Sequence, residues 1–314
     1  MKHVFLIDDL SRIKPEKDTS FALMLEVYAL HGEVFFTHRG DLSLLNGKLY
    51  CDAYSSVPVD QPQDFFSKKK QVQLNQNDID VFWIRTDPPF DESYLMDTYL
   101  LSIAENGPLV LNSPKGLRNL QEKVWCQNFP DIVPKSLITR NINEYKEFTH
   151  EMNQFIVKPL DGYGGSSVFL LSQESKNKNV AFETLSAASS RYVLVQEYLS
   201  AAQTGDKRIL LLNGEPLGAV LRVHSEDDHR NNFAAGGNAV ADSITDQDRK
   251  IIQRIKPMLL KEDIFFAGID IIGDKLVEVN VTSPTCLREM ERLDKQNYAR
   301  QIILAAEEKR RSRP

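Results

Sequence analysis

The chain has 314 residues, of which 42% are hydrophobic and 26% charged, and its net charge is −6. This length and composition indicate two or three globular domains and exclude a wholly disordered chain, a collagen and a coiled coil. An acidic chain is also a poor candidate for nucleic-acid binding, because most of that affinity comes from the neutralisation of phosphates.

The cysteines and the apolar runs point to a reducing compartment. Cys51, Cys126 and Cys286 are odd in number and widely spaced, so no disulfide framework is expected. No apolar run approaches the ~20 residues of a membrane helix. We therefore expect a cytoplasmic protein without membrane contact. The basic run 309–313 is expected to be a frayed, solvated tail rather than a membrane or nucleic-acid patch.

The first third of the chain alternates short apolar runs with helical patterns. A helix that begins near Asp18, Thr19 or Ser20 has apolar residues at helical spacing, a second helix covers 93–105, and 41–50 is predicted to be a hairpin with Asn46-Gly47 at its turn. Strands are predicted at 3–7, 33–37, 81–85 and 108–111. This alternation favours a parallel sheet with both faces covered.

The rest of the chain is predicted to form two α+β lobes. The predicted elements of the smaller lobe are strands at 136–139, 155–158, 168–171 and 192–197 and helices at 143–152 and 179–190. Those of the last third are strands at 207–212 and 216–223, a polar loop at 224–238, a helix at 246–261, a hairpin at 265–281 and a helix from about 295. We expect domains at 1–121, 122–198 and 199–314.

A glycine-rich segment, Gly162-Tyr-Gly-Gly-Ser-Ser167, lies between two predicted strands. Gly164, Gly165 and Ser166 could bring backbone N–H groups to phosphate oxygens, although the segment alone is more typical of a flexible hairpin. Lys158 lies at the end of the preceding strand and Lys123 at the junction with the first third, and each lysine taken singly is more typical of surface charge.

The strand 192–197 ends in Gln196, Glu197, Tyr198 and Leu199. Backbone groups at a strand end can pair with the edge of an adenine, and Glu197 can accept a hydrogen bond from its amino group. The alternative is a strand with a purely structural role.

Three oxygen-bearing side chains lie in the hairpin 265–281. Asp270, Glu278 and Asn280 are embedded in apolar sequence, where a carboxylate is costly to bury unless it is paired or binds a metal. Oxygen ligands of this kind suit Mg²⁺ that is held together with phosphates. A two-residue Gly273-Asp274 turn would put Asp270 and Glu278 on opposite faces, so a shared site requires an odd loop or a bulge.

The remaining candidates are weaker. His224 and His229 lie in the polar loop 224–238, which we interpret as a mobile loop rather than a zinc site. Arg85 follows a buried strand of the predicted parallel sheet, where it could anchor a substrate carboxylate. No pattern for nucleophilic catalysis is present.

In this order, the lysines, glycine-rich loop, strand end and acidic hairpin resemble the ATP-grasp superfamily, and within it prokaryotic-type glutathione synthetases. The segments Arg85-Thr-Asp-Pro-Pro-Phe-Asp91 and Glu278-Val-Asn-Val-Thr-Ser-Pro-Thr-Cys286 are the most specific to that family. The other similar segments are 18–26, 158–165, 205–208, 232–237 and 268–274. The resemblance implies an N-terminal, Rossmann-like parallel-sheet domain followed by an ATP-grasp fold of two α+β lobes.

The resemblance also implies site residues. For ATP they are Lys123, Lys158, Gly164, Gly165, Ser166, Gln196, Glu197, Tyr198 and Leu199. Two Mg²⁺ ions, with Mn²⁺ as a substitute, are implied on Asp270, Glu278 and Asn280, and Arg208 is implied at the reacting carboxylate. For binding γ-glutamylcysteine and glycine, called the peptide side below, the implied residues are Ser20, Arg85, Arg222, Arg230, Ser283, Pro284, Thr285 and Cys286.

The implied reaction joins γ-glutamylcysteine to glycine with ATP as co-substrate, through an acyl phosphate, in a homo-oligomer that is a tetramer or a dimer. Asn231 and Ser200 depart from the family pattern, at positions where Gly and Pro are expected. The alternatives are another ATP-grasp carboxylate–amine ligase, which would make a dipeptide or a glutamyl peptide, and an ATP-binding regulatory protein without activity.

Overall fold

The computed structural model describes residues 1–104, 107–223 and 238–313. Within these residues three sheets follow one another along the chain, with seven, four and five strands. Each sheet is formed by a continuous stretch of sequence, and the helices pack against the sheets.

The first sheet has a parallel centre and an antiparallel extension. Its strands are β1 (Lys2–Leu6), β2 (Glu33–Thr37), β3 (Leu42–Leu45), β4 (Lys48–Pro58), β5 (Phe66–Asn75), β6 (Val81–Ile84) and β7 (Leu109–Leu111). The strands β2, β1, β6 and β7 are parallel neighbours in that order, which confirms the predicted parallel sheet. The pair β4 and β5 extends the predicted hairpin into an antiparallel ribbon that the sequence analysis did not identify.

Three helices accompany this sheet: α1 (Thr19–Ala29), α2 (Glu92–Ile103) and α3 (Pro114–Asn119). Of the three candidate caps of α1, Asp18 is the one used, and its carboxylate accepts a hydrogen bond of 2.7 Å from the N–H of Phe21. The cap fixes the start of α1, so that Thr19 and Ser20 occupy its first turn.

The second sheet forms the smaller lobe. Its elements are β8 (Ser136–Thr139), α4 (Ile142–Thr149), β9 (Gln154–Pro159), β10 (Phe169–Ser172), α5 (Lys178–Leu185) and β11 (Val193–Glu197). The strands pair antiparallel in the order β10-β9-β11-β8, over an apolar cluster in which Tyr145 stacks on Phe182. Helix α5 ends five residues before the predicted end, because Ala187, Ala188 and Ser189 adopt positive φ angles that a right-handed helix excludes.

The third sheet is antiparallel, in the order β14-β13-β12-β15-β16. Its elements are β12 (Asp206–Leu212), β13 (Glu215–Val223), β14 (Asn238–Ala241), α6 (Asp246–Lys261), β15 (Phe266–Ile272) and β16 (Lys275–Asn280). The predicted helix 246–261 is confirmed at both ends. Thr245 and Asp248 form a capping box that fixes its start.

The hairpin of β15 and β16 contains the bulge that a shared site requires. The strands are joined through Gly273 and Asp274, and the register shifts between Asp270 and Ile271. As a result Asp270 pairs directly with Glu278, and Gly268 with Asn280. Directly opposed residues of antiparallel strands share a face, so all three oxygen-bearing side chains lie on one face of the sheet.

The C-terminal region corrects two expectations. Helix α7 (Leu287–Asp294) was not predicted, because its cap, Cys286, has a φ of +84° and makes none of the side-chain hydrogen bonds by which helix starts are found. The last helix, α8 (Tyr298–Arg311), includes most of the basic run, so the prediction of a frayed tail is wrong.

Contacts explain why the basic run is ordered. Lys309 pairs with Asp263 at 2.8 Å, Arg311 pairs with Glu307 at 2.9 Å, and Arg313 donates a hydrogen bond to the carbonyl of Pro108. Cations in the last turn of a helix are also favoured by its dipole.

Some expectations concern residues that the model does not describe. The segment 224–238, which includes Arg230 and Asn231, lies outside the described residues except for Asn238. In the described part of the chain, no helix has the length and apolar character required to cross a membrane.

Candidate functional site

Residues of the second and third sheets line one cavity, which we call the central cavity. All nine residues expected at a nucleotide contribute to it. They are joined there by Asp206, Asp270 and Glu278 of the third sheet. The central cavity therefore brings together four sequence segments that the sequence analysis had linked only by their order.

The glycine-rich loop forms one wall of the central cavity. Gly164 and Gly165 have φ angles of +61° and +76°, a region that residues with a side chain rarely adopt. Two successive glycines therefore let the backbone turn back over the cavity, and the N–H of Ser166 closes the turn on the carbonyl of Tyr163 at 3.1 Å.

The two lysines of the cavity differ in their partners. Lys123 pairs with Glu278 at 2.9 Å and also donates to the carbonyl of Gly162 in the glycine-rich loop. Burial opposes its charge, but Glu278, Glu122 and Asp161 together outweigh burial and raise the pKa of Lys123. Lys158 forms no ion pair within the described ranges, and burial lowers its pKa.

The strand end at Gln196–Leu199 lies at the cavity, but several of its polar groups are already engaged. The N–H of Glu197 donates to the carbonyl of Lys135 and that of Tyr198 to the carbonyl of Gln154. The carboxylate of Glu197 accepts from the N–H of Lys135 at 2.9 Å. This bond uses one oxygen of the Glu197 carboxylate and leaves the other able to accept, so the contact of Glu197 with an adenine amino group stays a prediction.

A ladder of buried ion pairs crosses the third sheet beside the cavity. Arg208 on β12 lies opposite Asp270 on β15 and binds it through two hydrogen bonds. Arg222 on β13 lies opposite Asp206 on β12, binds it in the same way, and also contacts Asp270 at 2.8 Å. Burial opposes the charge of Asp270, yet the two guanidinium groups outweigh it and hold the pKa of Asp270 below its usual value.

The oxygen donors of the hairpin fit a hard divalent cation. Asp270 and Glu278 both line the central cavity, and the amide of Asn280 lies 3.4 Å from Asp270. Two carboxylates and an amide on one sheet face are the donor chemistry that Mg²⁺ prefers. Among the described residues no three His, Cys, Asp or Glu side chains are grouped in a way that could hold a metal, and the third member of this set is an amide.

A second cavity, the N-terminal cavity, lies between the first sheet and the segment that follows β16. Four residues expected on the peptide side line it: Ser20, Arg85, Ser283 and Thr285. Arg85 is 5% exposed and donates to the hydroxyl of Ser20 at 3.0 Å and to the carbonyl of Pro284 at 2.9 Å. Burial lowers the pKa of Arg85, against the opposing effect of Asp18 and Asp87.

Three other described residues expected on the peptide side do not line this cavity, although the carbonyl of one of them, Pro284, accepts from Arg85. Arg222 belongs to the ion-pair ladder, and Cys286 is buried at the start of α7. Arg208 connects the two regions, because a Cβ placed on Gly268 would lie 3.2 Å both from Arg208 and from Pro284. Gly268 is thus the spacer between the ladder and the segment 283–286.

The sequence analysis missed several residues of both cavities. Asp206 lay within a segment similar to the family but received no role, although its place two residues before Arg208 puts both on one strand face. Arg12 and Asp87 line the N-terminal cavity, and Arg12 also donates to the hydroxyl of Tyr163 in the glycine-rich loop at 3.3 Å. Arg12 carried no signal in the sequence, since this contact joins residues 151 positions apart.

Two family models match the chain. The model described as prokaryotic glutathione synthetase, N-terminal domain, matches residues 1–118, and the model of the ATP-grasp domain of the same family matches residues 122–295. The chain is 39% identical over 288 residues to a glutathione synthetase of Escherichia coli K12 and 38% identical to one of Vibrio parahaemolyticus, with 91% of each chain covered in both cases.

Solved structures share the fold at low sequence identity. D-cycloserine synthetase DcsG matches with a TM-score of 0.67 and 11% identity, over 98% of this chain and 99% of the other. The ATP-grasp ligase PsnB, in complex with a minimal precursor, matches with a TM-score of 0.62 and 19% identity, over 96% and 97% of the two chains.

Proposed function

The chain belongs to the prokaryotic glutathione synthetase family, and from this premise we propose how its residues perform an ATP-dependent ligation. The protein is a glutathione synthase, and ATP, γ-glutamylcysteine and glycine are its substrates. The proposal concerns the roles of individual residues, the metal and the order of the chemical steps.

Lys123 and Lys158 bind the phosphates of ATP, and Gly164, Gly165 and Ser166 cover them. Lys158 is suited to this role because it is a partly buried cation whose charge no described carboxylate pairs. Gln196, Tyr198 and Leu199 contact the adenine, and Glu197 contributes to the same wall of the cavity.

Asp270, Glu278 and Asn280 hold Mg²⁺, for which Mn²⁺ can substitute. When bound, the divalent cation neutralises the charge of the phosphates during transfer. The donor set supports this role, because it combines two carboxylates with an amide on one face next to both lysines.

The reacting carboxylate of γ-glutamylcysteine takes a phosphoryl group from ATP, since a free carboxylate would have to expel oxide. The amine of glycine then attacks the acyl phosphate, and phosphate leaves. Arg208 stabilises the oxyanion that forms during this attack. The glycine-rich loop excludes water, which would otherwise hydrolyse the acyl phosphate.

Arg85 anchors the peptide in the N-terminal cavity, with Ser20, Ser283 and Thr285 around it. Arg222 acts through its ion pairs in the ladder. Pro284 and Cys286 belong to the segment that lies next to Arg208. Arg230 is assigned to the same side from the family resemblance alone.

The observation that carries the proposal is the position of Arg208. It is bonded to Asp270, which lines the central cavity, and both Arg208 and Pro284 of the peptide side lie 3.2 Å from the place that a Cβ on Gly268 would occupy. The test measures phosphate release with γ-glutamylcysteine in the presence and absence of glycine, together with the mass of the product. Glycine-dependent formation of glutathione supports the proposal, and phosphate release that ignores γ-glutamylcysteine contradicts it.

The proposal also includes domains at 1–121, 122–198 and 199–314, a cytoplasmic location and a homo-oligomer, either a tetramer or a dimer. The domain limits are supported by the three sheets, each of which lies within one of these ranges. Light scattering coupled to size-exclusion chromatography measures the oligomeric state directly.

A further inference from the structure

Glu122 lies in the linker between α3 and the second sheet, and the reaction described above does not use it. Its Oε1 atom accepts three hydrogen bonds: from the N–H groups of Val281 and Thr282 at 2.9 and 3.2 Å, and from the hydroxyl of Thr282 at 3.0 Å. The carbonyl of Glu122 accepts a further bond from the N–H of Val279. The linker is thus tied to the end of β16 by one residue.

The segment that Glu122 holds leads directly into the N-terminal cavity. Ser283 donates to the carbonyl of Arg85, and the guanidinium of Arg85 donates to the carbonyl of Pro284. Because Thr282 directly precedes these residues in the chain, its position affects where the wall of that cavity lies against Arg85.

The next residue of the linker faces the other cavity. Lys123 contacts Glu278 and the glycine-rich loop, whereas the Glu122 carboxylate bonds to the segment that leads to the N-terminal cavity. This division of contacts predicts that the loss of the Glu122 carboxylate affects the peptide side more than the nucleotide side.

We propose that Glu122 is a positioning residue that holds the segment 281–286 against Arg85 and thereby determines the affinity for γ-glutamylcysteine. The inference rests on the proposed function. A carboxylate is suited to the task, because one charged oxygen can accept several N–H and O–H donors that converge on it.

The test compares Glu122→Ala with Glu122→Gln in steady-state kinetics. The alanine variant loses all three side-chain bonds, and we expect its KM for γ-glutamylcysteine to rise about ten-fold or more. We expect its KM for ATP to change by less than about two-fold. The glutamine variant keeps an oxygen acceptor at the same position and restores most of the affinity.

Asp80→Ala is the matched control. The Asp80 carboxylate also accepts a backbone N–H at a strand end, that of Lys2 at 2.8 Å, but it lines neither cavity. Both KM values of this variant should equal those of the unmodified protein. If Glu122→Ala does not fold, Thr282→Val removes one of the three donors at nearly constant volume and should raise the KM for the peptide by about three-fold.

Three results would overturn the inference: equal increases in both KM values, a glutamine variant as impaired as the alanine variant, or unchanged kinetics in both. Product formation by the unmodified protein separates this inference from the proposed function. If the unmodified protein makes no glutathione, the proposed function is refuted. If it makes glutathione but the KM for γ-glutamylcysteine does not change when Glu122 is replaced, only the positioning role is refuted.

Discussion

The central cavity and the N-terminal cavity both contain buried cations, but they balance the charge in different ways. In the central cavity and its ladder, Lys123 pairs with Glu278, Arg208 with Asp270 and Arg222 with Asp206. In the N-terminal cavity, Arg85 is held by a hydroxyl and a carbonyl and forms no ion pair with any described residue.

The difference indicates how each cavity receives its ligand. Apart from Lys158, which pairs with no described carboxylate, the cations of the central cavity and its ladder already have carboxylate partners that a ligand has to exchange, so removal of one member leaves another buried and unpaired. An anion that enters the N-terminal cavity meets a guanidinium whose hydrogen-bond partners are neutral groups and whose charge Asp18 and Asp87 offset only without a direct ion pair. There the ligand itself supplies the missing charge.

The largest effect is expected for Glu278→Gln. The amide keeps the size of the side chain and an acceptor for Lys123, but it removes a negative charge from the face that is proposed to hold Mg²⁺. We expect kcat to fall about a thousand-fold or more, since charge compensation of the phosphates is lost. Steady-state kinetics at saturating Mg²⁺ and ATP measure this.

Glu215→Gln provides the control for this change. Glu215 pairs with Lys256 in an exposed position on β13, so its loss should leave kcat unchanged. Near-normal turnover of Glu278→Gln would remove Glu278 from the metal site and, with it, the view that the central cavity works by an exchange of paired charges.

A smaller effect, on the other cavity, is expected for Arg85→Met. Removal of the unpaired guanidinium should raise the KM for γ-glutamylcysteine about a hundred-fold, because a charged hydrogen-bonded contact to a carboxylate contributes about 3 kcal/mol. The KM for ATP should remain close to normal.

Arg85→Lys and Arg254→Met complete this experiment. The lysine variant keeps the charge but lacks the planar guanidinium. Its KM for γ-glutamylcysteine should lie between those of the unmodified protein and Arg85→Met. Arg254 pairs with Asp131 on the surface and is the control for the loss of an arginine. An equal rise in the KM for ATP would show that Arg85 supports the fold rather than the peptide.

The same two cavities show how far the sequence predicts a site. The nucleotide residues were found because the glycine-rich loop, the strand end and the acidic hairpin each have a local pattern. Counting residues across a two-residue turn showed that a shared site requires an odd loop or a bulge, and the register contains a bulge after Asp270. Local patterns therefore supplied candidates for most of the central cavity, and the family resemblance assigned their roles.

The N-terminal cavity could be predicted only in part, because its walls come from opposite ends of the chain. The bond from Arg85 to Pro284 joins residues 199 positions apart, and that from Arg12 to Tyr163 joins residues 151 apart. Neither Arg12 nor Glu122 lies in a pattern that reveals its partner. The ribbon of β4 and β5 was missed for a related reason, since its exposed, lysine-containing strand lacks the apolar alternation that indicates a strand.

The contact between Arg12 and Tyr163 joins the two cavities and predicts a modest effect of Tyr163→Phe. The hydroxyl accepts from a guanidinium that lines the N-terminal cavity, while the tyrosine belongs to the loop over the central cavity. Loss of this one hydrogen bond, which contributes about 1 kcal/mol, should raise the KM for ATP about five-fold.

Tyr192→Phe is the matched control, because Tyr192 is an exposed residue of the same lobe whose ring, rather than hydroxyl, contacts an arginine. Phosphate and glutathione are measured together in both variants. If the loop closes less well, more phosphate is released per glutathione in Tyr163→Phe than in Tyr192→Phe. Identical ratios and KM values would mean that the two cavities close independently.

The smallest effect concerns a buried base that, unlike arginine, can release its proton. His3 on β1 is fully buried, accepts a hydrogen bond from Trp83 at Nδ1 and faces Glu307 through Nε2 at 3.5 Å. Burial lowers the pKa of His3 and the chain's N-terminal amine lowers it further, whereas Glu307 and Asp80 oppose the shift. The folded protein therefore keeps His3 neutral at a pH where the unfolded chain binds a proton.

The sign of the pH dependence follows from this difference. The unfolded state takes up a proton as the pH falls below about 6.5, so the contribution of His3 to the free energy of unfolding is complete above that pH and is lost below it. His3→Asn keeps an acceptor for Trp83 but cannot be protonated. Melting temperatures between pH 7.5 and pH 5 should therefore fall less steeply in His3→Asn than in the unmodified protein, with kcat unchanged. An equal fall of the melting temperature with pH in both proteins would mean that Glu307 compensates the protonated ring of His3 as fully as the carboxylates of the ladder compensate their arginines. His3 would then count among the paired buried charges.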